Sequence, residues 1–255
     1  MTDATPATRT LQALMQGRSK HSDYQLLHPT LAPLFGDLPQ PAGKHEAQRQ
    51  HFMQAQFPVA GQRVLDIGAN TGYFSFAALQ AGSAKVVCQE GNAEHARFIA
   101  LAAQALGLGE RIDVRPSYYD FQDAAEHFDL TLCLNVLHHL GDDFGDTSLG
   151  LDSAKAAMLA ALNRLARHTG LCWMQLGFNW KGDRHRPLFE HGSKRELIDF
   201  VRAGTQGHWA IETIAVVNPA TRDYELVNDD NLARFDALGE FLNRPLFLMR
   251  SRLIA

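Results

Sequence analysis

From Gln62 onward, short apolar runs alternate with longer stretches whose apolar residues recur at helical spacing. RVLDIG is a short run ending in glycine, and GYFSFAALQAG follows with helical spacing and a glycine stop. KVVCQE reads as a second strand. NAEHARFIALAAQALGL opens on Asn92 as an N-cap and continues as a helix. RIDVRPS predicts a third strand, with a short helix over residues 120–127. FDLTLCLNVL is a fourth, nearly all-apolar strand. DSAKAAMLAALNRLARH predicts a helix capped by Asp152 or Ser153, and GLCWMQLGF a fifth strand. SKRELIDFVRAG places Glu196 three residues after Ser193, the spacing of a capping box. HWAIETIAVVN and RPLFLMRS complete the pattern as sixth and seventh strands.

Strands alternating with helices predict an α/β fold: a Rossmann-like, seven-stranded, mostly parallel sheet with helices on both faces. Strands one and four are continuous apolar runs, as strands covered on both faces should be. Residues 1–58 follow a different pattern. They lean helical, around residues 11–15 and 44–57, and are broken by Pro29, Pro33, Pro39, Pro41 and Pro58. This segment reads as an N-terminal helical cap on a main domain of residues 59–255. Residues 218–243 form an insertion between the last two strands, with ARFDALGEFL predicted helical. The sequence contains no internal repeat and no low-complexity tract.

Composition narrows the function classes. The 255 residues are 45% hydrophobic and 20% charged, ordinary for a globular chain with a sizeable core. A net charge of -4 gives no general attraction to nucleic-acid backbones or anionic lipid, though a local basic patch remains compatible with it. Cys88, Cys133 and Cys172 are odd in number, form no CxxC pair and lie in apolar runs. They read as buried free thiols of a reducing compartment, with no zinc site or other metal. MTDATPATRTLQALMQG lacks a basic start followed by an apolar stretch, so no signal peptide is expected. No apolar run approaches the ~20 residues of a membrane span. A cytoplasmic protein is expected.

Ligands of such sheets bind beyond the carboxyl ends of the strands. After strand one the chain reads Asp66-Ile67-Gly68-Ala69-Asn70-Thr71-Gly72. A dinucleotide fingerprint registered on Gly68 would have Asn70 and Tyr73 in place of its second and third glycines, which disfavours nicotinamide and flavin cofactors. No GxxxxGK[ST] loop is present. Gly68 and Gly72 allow a tight turn that approaches a ligand closely. Asp66 is suited to orienting that turn or receiving an ammonium. Glu90, closing strand two, can accept hydrogen bonds from both hydroxyls of a ribose.

At VLDIGANTGYFSF, VVCQEGN and FDLTLCLNVLHHL the chain resembles the class I S-adenosylmethionine-dependent methyltransferases. The likeness covers residues 62 to about 180 and the strand order beyond. Many members have glycine where this chain has Asn70. The resemblance implies that Asp66, Gly68, Asn70 and Gly72 contact the methionine part of S-adenosylmethionine (SAM) and Glu90 its ribose. It further implies Asn135 beside the methionine, and Tyr118 and Tyr119 flanking the adenine.

Methyl transfer from a sulfonium is a displacement that needs alignment, and a base only if the acceptor must lose a proton. His138 and His139, just beyond strand four, are the candidates for that base, with His139 ahead. The segment after strand five, NWKGDRHRPLFEHGSKR, is rich in basic residues where an acceptor should enter. Arg184 and Arg186 suit a phosphate or carboxylate, Trp180 offers a flat face, and Arg49 in the cap is a further anion contact. YFSF, NVLHHL, KRELIDF and NRPLFLMRS also resemble the methyltransferase part of enzymes capping bacterial surface polysaccharides. The arrangement is similar, too, to enzymes that alkylate the wobble uridine of tRNA. The expected function is O-methylation of a small or glycan-like acceptor, an anionic one included. The alternatives are a tRNA-modifying methyltransferase and a non-catalytic SAM-binding module.

Overall fold

A computed structural model of the chain describes residues 6–16, 25–35, 45–122, 126–234 and 238–254. The chain divides into two compact units, Met1–Tyr119 and Asp120–Ala255.

The first unit holds helices α1 (Pro6–Gln16), α2 (Ala32–Phe35) and α3 (Glu46–Gln56), then strand β1 (Arg63–Ile67). Helix α4 (Tyr73–Gln80), strand β2 (Lys85–Gln89), helix α5 (Ala93–Ala105) and strand β3 (Ile112–Arg115) follow. The strands lie in the order β3-β2-β1 and all pair in parallel. Parallel pairing requires crossover helices, which α4 and α5 supply. Asn92 caps α5 as predicted, accepting the backbone N–H groups of Glu94 and His95. The N-terminal helices close over α5: Leu11 is fully buried and Phe35 stacks on Phe98 at 5.7 Å.

The second unit opens with strand β4 (Phe128–Leu134), helix α6 (Leu151–Leu165) and strand β5 (Thr169–Gln175). Helix α7 (Lys194–Thr205), strand β6 (Trp209–Val217), strand β7 (Tyr224–Leu226), helix α8 (Asp229–Ala233) and strand β8 (Leu246–Ser251) follow. Its strand order is β4-β5-β8-β6-β7. β4 and β5 are parallel, while β8 runs antiparallel to both β5 and β6, and β7 antiparallel to β6. Trp173 of β5 and Phe247 of β8 are buried at the centre.

The α/β class and the predicted helix–strand alternation are present, but among the described residues the sheet has eight strands, in mixed orientation, where seven were expected. The additional one is β7, three residues inside the 218–243 segment. Its single outward-facing hydrophobe, Leu226, leaves too short an alternation to mark a strand. Three local expectations change as well. α6 is capped by Gly150, not by Asp152 or Ser153. Of the helix predicted over 120–127, the described residues 120–122 and 126–127 are not helical, and 123–125 lie outside the described residues. Among the described residues of ARFDALGEFL, only Ala233 is helical, at the end of α8. Residues 235–237 are outside the described residues and 238–242 are mostly turn. The capping box of α7 is formed as predicted. All three cysteines are free and buried.

Candidate functional site

In the first unit the turn after β1 is shaped by three left-handed residues in five: Gly68 (φ 70°), Asn70 (φ 56°) and Gly72 (φ 82°). Space is also tight at Gly72, where a Cβ would lie 3.1 Å from side-chain atoms of both Ile99 and Phe76. Asn70 tolerates this backbone region because its side chain bonds locally, its Oδ1 accepting the Thr71 N–H at 2.9 Å. The turn is tied from both sides. Glu90 Oε2 accepts the Asn70 N–H at 2.7 Å, and Glu90 Oε1 accepts the Asn92 N–H at 2.8 Å. On the other side, Gln25 Oε1 accepts the Tyr73 N–H at 3.0 Å and the Thr71 hydroxyl at 3.2 Å.

Asp66, on the last turn-ward stretch of β1, is buried, and Ser75 of α4 donates to its Oδ2 at 2.6 Å. Burial raises its carboxyl from the usual range to about 6, against the opposing Ser75 bond and with a further push from the negative charge of Glu90. On its other side Glu90 has His95, whose Nδ1 lies 4.0 Å from Oε1. Glu90 therefore has a structural duty that the sequence did not reveal. Two of the four acceptor positions of its carboxylate hold backbone. Tyr118 lies with its ring against Gly91, where a Cβ would come within 2.2 Å of the ring, and it is 51% exposed. Tyr119 is half-buried beside it in sequence. Arg49 is buried on α3, its guanidinium 5.7 Å from the Phe74 ring centroid.

The second unit gathers the remaining candidates. Asn135, just past β4, is left-handed (φ 62°) and buried. Its Nδ2 donates to Gln175 Oε1 at 3.0 Å and its Oδ1 accepts from Arg244 Nη1 at 2.8 Å. Arg244 also donates from Nε and Nη2 to the two oxygens of Glu240, at 3.0 and 2.6 Å, and Glu240 Oε1 accepts the Phe178 N–H. The Asn135 amide is thus the centre of a brace. His138 is buried, and its Nδ1 accepts the Gly177 N–H at 3.2 Å. Burial, then the charge of Arg244, then His139 hold this imidazole well below its ordinary pKa. His139 is partly exposed, with Nδ1 3.3 Å from Asp143 Oδ2. Ligand atoms of His139, Asp142 and Asp143 lie within 4.8 Å of one another.

Trp180 is buried and donates from Nε1 to the Leu140 carbonyl at 2.7 Å. Lys181 Nζ and the Arg186 guanidinium stand 4.6 and 5.7 Å from its ring. Trp180 is therefore an anchor for the loop after β5, whose exposed charges are Arg184, Arg186 and Glu190, with Arg186 Nε 3.5 Å from Asp183 Oδ2. Sequence reasoning missed Gln25, Ser75, Asp143, Gln175 and Arg244. Ser75 had a legible signal, being the one polar residue among the first seven of α4 apart from its opening tyrosine. Among the described residues, no helix is long and apolar enough to cross a membrane.

No family model and no curated protein matches the sequence. Solved structures do match its fold. WbdD aligns with a TM-score of 0.60 at 20% identity, over 94% of this chain and 47% of its own. EvdMO1 aligns at 0.54 and 16%, over 96% of this chain and 47% of its own, so this chain spans about half the length of either protein. The 16S rRNA methylase RmtB aligns at 0.53 and 14%, over 98% of this chain and 76% of its own. At such identities the likeness speaks for the fold, and that fold is the one of the class I S-adenosylmethionine-dependent methyltransferases.

Proposed function

We propose that this chain is a SAM-dependent methyltransferase whose first unit holds the donor. The observation that carries the reading is Asp66: a buried acid beside Glu90, at the end of β1, under a turn already fixed in a left-handed path. SAM fits this charge, since its amino-acid tail carries an ammonium and its sulfonium is also positive. When bound, SAM supplies an electrophilic methyl group. Asp66, aimed by Ser75, receives the ammonium. The backbone of Gly68, Asn70 and Gly72 borders the methionine part. Glu90 would accept the ribose hydroxyls while tying the turn, and Tyr118 and Tyr119 flank the adenine.

Residues 1–58 serve as the cap and residues 59–255 as the methyltransferase domain. The support is Gln25, which reaches from the N-terminal segment to the donor turn. The acceptor reading is O-methylation of a small or glycan-like molecule, supported by the exposed Arg184 and Arg186, whose forks suit an anionic group. RNA is the competing acceptor, suggested by the likeness to RmtB and opposed by the net charge of -4.

Calorimetric titration with SAM tests the donor assignment: wild type is expected to bind, and Asp66→Ala to lose at least 100-fold in affinity. Equal affinity in both would overturn it. Incubation with SAM and cell extract should then generate S-adenosylhomocysteine. Persistent absence of that product across extracts would make the chain a binding module. Affinity for tRNA that falls steeply with salt would favour the RNA acceptor.

A further inference from the structure

We propose that Gln25 binds the α-carboxylate of SAM through its Nε2 hydrogens, so that the N-terminal segment selects donors with a complete amino-acid tail. This inference rests on the methyltransferase reading above and deepens it with a binding residue that the motifs do not single out.

A carboxylate brought to the turn after β1 needs hydrogen-bond donors there, because a charged acceptor stripped of water and left unpaired is costly. The backbone from Gly68 to Tyr73 has none to offer. The Gly68 and Ala69 N–H groups both donate to the Gln89 carbonyl, and the Gly72 N–H donates to the Ala69 carbonyl. The Asn70 N–H is taken by Glu90, the Thr71 N–H by the Asn70 side chain and the Tyr73 N–H by Gln25. All six are accepted inside the protein. A donor for the carboxylate must therefore come from a side chain.

Gln25 has the chemistry and the orientation. It is only 7% exposed. The Tyr73 N–H can only donate, so the end of the amide facing it is the oxygen, and the Thr71 hydroxyl bonds the same atom. The reversed amide would set one donor against another. Both Nε2 hydrogens are left over, and among the described residues Nε2 makes no hydrogen bond. A buried amide with its donors unused is unfavourable until a ligand takes them. Oε1 and Nε2 share one planar carbon, so these donors lie beside the same turn. Tyr73 is also the first residue of α4, an end of the helix that favours negative charge. Gln25 thus takes up a backbone donor at that end and presents side-chain donors in its place.

The surrounding charges sort the two ionic groups of the donor's tail. Asp66 and Glu90 suit the ammonium and repel the carboxylate. Gln25 is neutral and comes from a different segment, where His28 packs edge-on against Tyr73 at 5.0 Å and burial lowers its pKa to about 4. Arg49, buried on α3 against Phe74, is the competing partner for a carboxylate.

Calorimetry on the full chain with two ligands isolates the carboxylate. Decarboxylated SAM keeps the ammonium, the sulfonium and the adenosine. Wild type is expected to prefer SAM by about 10- to 100-fold, the range of hydrogen bonds to a charged group. In Gln25→Ala that preference should shrink to about threefold or less, a ratio that cancels any general loosening of the turn. Gln25→Glu still accepts the Tyr73 N–H and the Thr71 hydroxyl but donates nothing when ionised, so it should bind decarboxylated SAM at least as well as SAM. A preference for SAM that is equal in wild type and both variants overturns the proposal and assigns the carboxylate to Arg49. So does a wild type that binds the two ligands equally.

Hydrogen exchange gives a readout apart from affinity. At saturation SAM should slow amide exchange across residues 25–35, and decarboxylated SAM should not. Equal protection by both ligands sinks the proposal alone. Failure of wild type to bind either ligand sinks the methyltransferase reading with it.

Discussion

The turn after β1 in the first unit and the loops after β4 and β5 in the second both bury polar side chains, but their charges are balanced differently. At the first turn side chains hold backbone: Glu90 takes two N–H groups and Gln25 takes another. In the second unit Arg244 is bonded through side chains to Asn135 and Glu240, while Glu240 and His138 also take backbone N–H groups. The charge accounting differs too. Arg244 and Glu240 neutralise each other, whereas Asp66 and Glu90 are both acids and the second raises the pKa of the first. A brace that is electrically closed stabilises without a ligand. At the turn after β1 the two acids share a buried setting, with His95 Nδ1 4.0 Å from Glu90 Oε1. That contrast is why the donor assignment rests on the first unit and why Asn135 reads as a strut.

The largest effect should come from Glu90→Ala. It leaves two N–H groups without their acceptor, at about 1–3 kcal/mol each where water cannot replace it. A loss of about 2–4 kcal/mol in urea unfolding is expected, together with weaker SAM binding. Glu90→Gln should fall between, since one oxygen remains. Unchanged stability with lost SAM binding would show that Glu90 serves the ligand alone, and the contrast would need redrawing.

Asp66 gives a pH signature. Its pKa rises from 3.8 unfolded to about 6 folded, so the native state holds the proton more tightly than the unfolded one. The associated stability is fully present below pH 4, falls as pH rises toward 6, and is flat above. The span corresponds to about 3 kcal/mol. Asp66→Asn should flatten this part of the profile. SAM affinity should run the other way, rising with pH until Asp66 is ionised near 6 and then levelling. Equilibrium unfolding and calorimetry between pH 4 and 8 read both trends. A SAM affinity independent of pH across that range would remove the ammonium from Asp66.

Arg244→Met tests the closed brace. Its guanidinium is buried, but Glu240 is over one-third exposed, so solvent screens the ion pair. The main cost is the orphaned Asn135 oxygen, and about 2 kcal/mol is expected in urea unfolding. SAM affinity should stay within about threefold. A collapse of SAM binding at unchanged stability would move this network from strut to ligand contact.

The difference between the two regions also explains what the sequence made legible. The turn after β1 is built mostly from neighbours in the chain. Asn70 and Glu90 are 20 residues apart, so the glycines, the closing acid of β2 and the Asn92 cap all signal in one window. Gln25 is the exception, a glutamine with no local pattern that acts 48 residues away. The second network joins Asn135 to Arg244 across 109 residues, and no periodicity links such partners. The same reason hid β8's direction. Its apolar run predicts a strand, but only pairing with β5 and β6 decides that it is antiparallel. His138 and His139 were visible as a pair, while their opposite surroundings depend on Gly177 and Asp143, which the pattern does not mark.

The smallest expected effect belongs to Tyr118. Half its surface is exposed and its ring lies against Gly91, so Tyr118→Ala should change stability by less than about 0.5 kcal/mol. An aromatic ring that flanks a base is nonetheless worth about 1–3 kcal/mol by alanine substitution where bases stack on such platforms. If Tyr118 flanks the adenine, SAM affinity should therefore drop roughly 5- to 100-fold in Tyr118→Ala and recover in Tyr118→Phe. A ligand lacking the adenine ring separates this from a general loosening of the turn, because methionine alone should bind wild type and Tyr118→Ala alike, however weakly. Equal SAM affinity in all three proteins would put the adenine elsewhere. The acids Asp66 and Glu90 would then define the donor site without an aromatic wall from the loop after β3.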